Sequence, residues 1–220
     1  MLTFYHLPLS INSRRVWVAL LEKNLSFKAQ VMTLSGDQFA PEFMALNPFH
    51  HIPVLVDDGL AVIESFAILD YLEAKHPTPS LLATTPAGIA TMRMVQMVTV
   101  NELVPAINPL FKKMMGFGND PDDALEQAQQ KAEVVLRFYA DQLGDGPFFG
   151  GEQITLADVV AGTYAPWFEG LGLPMAHYPT LQAWAARLMA RPAWQTTQPT
   201  EADLAAFRDR MQQRMATQGQ

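Results

Sequence analysis

The hydrophobic pattern of this chain changes period once, at Pro77 and Pro79, and that change limits what it can fold into. Before it, short alternating apolar runs are interleaved with segments whose apolar residues recur three and four positions apart, the signatures of strands and helix faces. After it, only the helical period persists. The expected fold is therefore α/β followed by all-α. It comprises a first domain over 1–77, a linker over 78–88 broken by Pro79 and Pro86, and a helical domain over 89–220.

Within the first domain, residues 2–7 are apolar and aromatic, as strands are. A loop over 8–13 and a helix over 14–24 follow, the helix carrying Val16, Ala19 and Leu20 on one face with Asn24 placed to stop it. Phe27, Ala29 and Val31 alternate with Lys28 and Gln30 in a second strand, and strand–helix–strand predicts a parallel, right-handed crossover. A turn and short helix fill 36–46, ahead of Asn47-Pro48. The runs 54–56 and 61–63 flank Asp57-Asp58-Gly59, a hairpin signal. Ser65 is placed to cap a helix over 66–75 that buries Ile68, Leu69 and Leu72. The order is β-α-β-α-β-β-α.

In the helical part, residues 87–115 must bend at Pro105 and Pro109. Ala128, Ala132, Val135, Tyr139 and Leu143 form one stripe, and Gly150-Gly151 closes a loop. Thr155 with Asp158 three residues on is a capping-box variant, with Ile154 as its hydrophobic staple. Helices are expected over 156–169 and 181–190, with further turns around 202–215.

Composition excludes several chemistries. The 220 residues contain no cysteine, which removes disulfides, thiolate zinc sites, iron–sulfur clusters and a protein thiol nucleophile. The formal net charge is −7, spread over both halves, which argues against sequence-independent nucleic-acid binding. The start MLTFYHLPLS has neither the basic nor the apolar region of a signal peptide, and no run of about 18 apolar residues spans a bilayer. A soluble cytoplasmic protein with no membrane partner is expected. His6, His76 and His177 are isolated and the adjacent His50 and His51 point apart, so no metal is expected.

The stretch from Asn47 to Leu55 and the pair Glu64-Ser65 carry the chemistry. Pro53 enters a strand directly, although proline donates nothing to a ladder. A cis Ile52-Pro53 bond would turn the Ile52 backbone outward, where an extended peptide can pair with its N–H and C=O. A strand-initiating trans proline is the other reading. Glu64-Ser65 lies at a strand-to-helix junction, where unpaired N–H groups favour an anion. Ser65 can hold a carboxylate there while Glu64 takes an adjacent ammonium, the two charges of an α-amino acid. An ordinary helix cap with an exposed acid is the alternative.

These segments, together with 10–16 and Ile154-Thr155-Leu156-Ala157-Asp158, resemble the cytosolic glutathione transferases over nearly the whole chain, and in particular the serine-type theta-, phi- and delta-like classes. The resemblance implies a thioredoxin-like β-α-β-α-β-β-α domain ahead of an all-helical one. It implies that Ile52 beside cis-Pro53 pairs with the cysteinyl part of glutathione, that Glu64 and Ser65 hold the γ-glutamyl end, and that His51 falls beside the glycyl carboxylate. The hydroxyl that meets the sulfur matches Ser10, with Ser13 a second candidate; beside this resemblance, Arg14 and Arg15 read either as added charge for the thiolate or as a solvated helix face. His50 stands where the family often has glycine. A free thiol titrates near 8.5. Bringing it to about 6.5 takes about 2.7 kcal/mol of preferential thiolate stabilisation, the order of one O–H···S bond plus helix N-terminal dipoles.

The implied activity is conjugation of glutathione, as co-substrate, to apolar electrophiles by a homodimer. Met92, Met94, Met97, Met114 and Met115, or Phe111, Phe117 and Trp167, are the candidate electrophile walls. A non-catalytic glutathione-binding protein and a glutathione-dependent isomerase or dehalogenase are the rival readings. The isomerase-type loop usually pairs its serine with a cysteine, which this chain lacks.

Overall fold

The computed structural model describes residues 1–218; the last two positions of the expected 89–220 domain lie outside the described residues. The chain forms two compact units, residues 1–81 with 192–199, and 82–191 with 200 onward.

In the first unit, β1 (Leu2–His6) pairs in parallel with β2 (Phe27–Val31) and antiparallel with β3 (Val54–Asp57). β3 pairs antiparallel with β4 (Leu60–Ile63), giving the sheet order β2-β1-β3-β4. The helices α1 (Ile11–Glu22), α2 (Pro41–Met44) and α3 (Ser65–Lys75) complete the expected β-α-β-α-β-β-α order. The β3–β4 turn has positive φ at both central residues, 48° at Asp58 and 91° at Gly59, as a tight two-residue hairpin requires. β2 is the expected strand over the expected residues. Its alternation makes a strand but not a buried face, because it lies at the sheet edge with Val31 54% exposed.

Two helix starts also differ from the sequence reading. α1 begins at Ile11, so Ser13 is helical rather than part of a loop; Ser10 caps it, its Oγ accepting the Ser13 N–H at 3.3 Å. At α3 the cap position is Glu64, and Ser65 is already inside the helix without a capping bond. A buried ion pair ties the end of α1 to α3: Lys23 Nζ lies 2.6 Å from Glu73 Oε1 and donates to the Pro79 carbonyl at 2.7 Å. Glu73 also accepts the Leu81 N–H. Removing one partner of such a pair leaves a buried charge uncompensated, at about 3–5 kcal/mol.

The second unit begins with α4 (Pro86–Val98), a π-helical turn Thr99–Leu103 and α5 (Val104–Met114). Pro105 has no N–H and crowds the carbonyl four residues before it, so the helix widens where the bend was expected. α6 (Asp122–Leu143) buries the expected stripe. α7 (Leu156–Gly162) stops seven residues short of the expected 169, because Pro166 denies Gly162 its helical donor and a 3₁₀ turn, Ala165–Trp167, takes over. Its capping box is present: Asp158, fully buried, accepts the Thr155 N–H at 2.7 Å, and its other oxygen accepts Phe149 N–H and Trp184 Nε1–H. Burial pushes this carboxyl up, while these donors pull it back. α8 (Pro179–Met189) follows.

α9 (Pro192–Thr196) belongs to the first unit, and α10 (Glu201–Gln218) to the second. α9 covers Arg14, whose Nε donates to Thr197 Oγ1 at 3.4 Å and whose guanidinium carbon lies 5.9 Å from the Trp194 ring. Burial lowers the Arg14 pKa to about 10, so it stays charged at neutral pH. No described helix is long and apolar enough to cross a membrane.

His6 is 1% exposed, stacked on Phe4 at 4.7 Å and edge-on to Trp17 at 4.8 Å, with neither ring nitrogen hydrogen-bonded. Burial lowers its pKa from 6.5 to about 4. The unfolded chain therefore takes up a proton below pH 6.5 that the folded chain refuses until about pH 4, and stability falls across that window. Urea unfolding of wild type and His6→Phe at a series of pH values should show the wild type losing stability relative to the variant between pH 6.5 and 4, with a constant difference above pH 7.5.

Candidate functional site

The sheet topology gathers the site. β1 and β4 are each antiparallel to β3 and so run in the same direction, with Tyr5, Val54 and Ile63 in one row across the strands. The loops that leave β1 and β4 and the segment that enters β3 consequently meet at one edge. Ser10, Ile52-Pro53 and Glu64-Ser65 lie there and line a cavity of about 340 Å³ together with His50 and His51.

Ser10 is half-buried, and its oxygen already accepts the Ser13 N–H. Its own hydrogen is left to donate to a ligand atom. Ser13 and Arg14 do not line the cavity. Ser13 is fully buried, with its Oγ accepting the Leu7 N–H at 3.4 Å, and Arg14 is held under α9. The first turn of α1 thus presents one hydroxyl to the cavity rather than two hydroxyls and a cation.

Ile52-Pro53 is a cis peptide. Asn47 holds the loop before it, accepting the Phe49 N–H at 3.0 Å and donating from Nδ2 to the His51 carbonyl at 2.8 Å. Asn47 is 1% exposed and lines the cavity, as do Asn12 and Leu34. The Asn-Pro dipeptide was the only sign of Asn47 in the sequence, and it marks a turn rather than a clamp. His50 has φ 59°, the left-handed region that glycine adopts without strain. Its Nδ1 lies 3.3 Å from the Gln38 carbonyl, and its ring packs on Phe39 at 5.0 Å. Those contacts hold a conformation that costs a side-chain residue on the order of 1–2 kcal/mol.

Glu64 has φ 65° and ψ 119°, a sparsely populated combination for a residue with a side chain. Its carbonyl nevertheless accepts the first helical bond, from Ile68 N–H at 2.9 Å, so the chain enters α3 with a sharp change of direction. The Glu64 carboxylate is exposed at the cavity, and Ser65 beside it is buried. An acid, a hydroxyl and a helix N-terminus side by side suit a ligand bearing both an ammonium and a carboxylate. Among the described residues no lysine or arginine lines the cavity.

The family model described as glutathione S-transferase, N-terminal domain, matches residues 4–80, and that described as glutathione S-transferase, C-terminal domain, matches residues 91–192. Glutathione S-transferase F10 of Arabidopsis thaliana is 32% identical over 207 residues, covering 88% of this chain and 94% of that protein. The chain belongs to the glutathione S-transferase family. Maleylacetoacetate isomerase of Rattus norvegicus is also similar, 30% identical over 193 residues, covering 85% of this chain and 87% of that protein. The crystal structure of glutathione transferase F7 from Populus trichocarpa shares the glutathione S-transferase fold, with a TM-score of 0.75 at 27% identity over 90% of this chain and 97% of that one.

The methionines do not form a common wall. Met92 and Met115 are buried in the core of the second unit, whereas Met94 and Met97 are 43% and 42% exposed. Phe111 and Trp167 meet edge-on at 5.7 Å, and Phe117 packs on Phe207 at 6.0 Å. Among the described residues no three His, Cys, Asp or Glu side chains come together as a metal site requires.

Proposed function

We propose that the chain is a glutathione transferase that binds glutathione in the cavity of the first unit and conjugates its thiolate to apolar electrophiles. The observation that carries this reading is the convergence of Ser10, Ile52, Glu64 and Ser65 on one cavity at one edge of the sheet. The γ-glutamyl ammonium pairs with Glu64, and its carboxylate takes the Ser65 O–H and the N–H groups at the start of α3. The cysteinyl backbone pairs with Ile52, and His51 stands at the glycyl end. Ser10 donates to the sulfur, favouring the thiolate; the thiol proton leaves to solvent. The thiolate then bonds to the electrophilic carbon, and with an aryl chloride the chloride departs with its electron pair.

Isomerisation of maleylacetoacetate is the second reading, favoured by the 30% identity to the rat isomerase. The reading also includes a cytoplasmic homodimer with a role in detoxification, as the family resemblance implies.

Wild-type protein should be retained on immobilised glutathione and should turn over an activated aryl chloride. Retention without turnover of several electrophiles would instead identify a binding protein, and isomerisation outpacing every conjugation would identify an isomerase. Ser10→Ala should move the pH profile of kcat/KM to higher pH by about one unit and lower the rate at pH 6.5 about fivefold, as loss of about 1.4 kcal/mol of thiolate stabilisation requires; an unchanged profile would remove Ser10 from the mechanism. Light scattering should give a mass about twice the chain's 24.4 kDa.

A further inference from the structure

Behind the cavity, and outside its lining, Arg15 lies on α1 with 1% of its surface exposed. Its Nη1 is 3.5 Å from Ser65 Oγ, and its guanidinium carbon is 5.2 Å from the centre of the Phe66 ring. A guanidinium has donors only and stays protonated, so Ser65 is the acceptor in this contact. The Ser65 hydroxyl has a single hydrogen. With a lone pair engaged by Arg15 from behind, that hydrogen is left to donate into the cavity. The same guanidinium places a full positive charge behind the start of α3, inside the protein where solvent screens it weakly.

We propose that Arg15 is a positioning residue for the carboxylate of the γ-glutamyl end, acting through Ser65, in a cavity whose lining has no lysine or arginine among the described residues. The inference rests on the glutathione reading above. In a chain of net charge −7, the donors for an anionic peptide are then local, at Ser65 and the start of α3. The planar guanidinium fits this position because it satisfies the hydroxyl while lying against the aromatic face of Phe66.

The test compares glutathione with γ-aminobutyryl-cysteinyl-glycine, which lacks only the carboxylate in question, using wild type, Arg15→Lys and Arg15→Gln. Wild type should show a KM for the analogue at least about tenfold above that for glutathione, the size of one charge-assisted hydrogen bond. Arg15→Gln should raise the KM for glutathione by a similar factor, with kcat at saturation within about twofold, and Arg15→Lys should recover most of the loss. For the analogue, Arg15→Gln and wild type should be equal within about twofold, because the group that Arg15 serves is absent. Circular dichroism and thermal melts separate these effects from loss of fold. An equal loss on both substrates, a loss confined to kcat, or an unchanged KM for glutathione would overturn the proposal. So would a wild type that does not distinguish the two peptides, a measurement that needs no variant to fold. Failure of the glutathione reading itself gives a different result, a wild type that neither binds nor turns over glutathione.

Discussion

Every α-helix begins with N–H groups that its own backbone cannot satisfy, and the first unit directs two such ends at one cavity. Ser10, at the cap of α1, and Ser65, at the head of α3, both line it. The rest of the site follows from this placement. Two positive dipole ends make an anion-favouring region in an acidic chain, and the segment entering β3 lies between them. The local cost is visible in the backbone: Glu64 and His50 are both held at positive φ, and each sits where the chain must turn to face the cavity. Strain of this kind persists only when surrounding contacts outweigh it. Here Asn47, Gln38 and the first hydrogen bond of α3 supply them.

Much of the fold was legible because period and punctuation agreed. The order of the first seven elements, the Asp58-Gly59 turn and the stripe of α6 each rest on a local signal that tertiary packing did not override. The errors have physical causes. α1 starts three residues before the expected Arg14, because the Ser10 hydroxyl caps it at Ile11. Ser65 has the chemistry of a cap, but Arg15 engages its oxygen and Glu64 takes the cap position. Pro166 lies ten residues into an expected helix and ended it early, as a missing N–H must. The exposure of β2 could not be read at all, since alternation does not reveal which strand lies at the edge.

The site was legible to a different degree. Ser10, Ile52, Pro53, Glu64, Ser65 and His51 come together as their positions in the topology require, whereas Ser13 and Arg14 are buried away from the cavity. Sequence distance misleads here, because helical residues three and four places beyond a cap rotate onto other faces. The clamping amide of Asn47 lines the cavity, but its Asn-Pro dipeptide marks only a turn, and nothing in the local sequence of Arg15 tells a buried cation from a solvated one.

The return of α9 to the first unit bears on the order in which the protein is made. Trp194 and Thr197, which cover the Arg14 guanidinium, emerge long after the helix they pack against. Between residue 81 and residue 199 a ribosome takes roughly 6–24 s at about 5–20 residues per second. During that interval α1 is without the cover that α9 gives its buried arginine. The first unit therefore reaches its final packing only after residue 199 has been made, and its maturation is tied to the completion of the helices encoded in between.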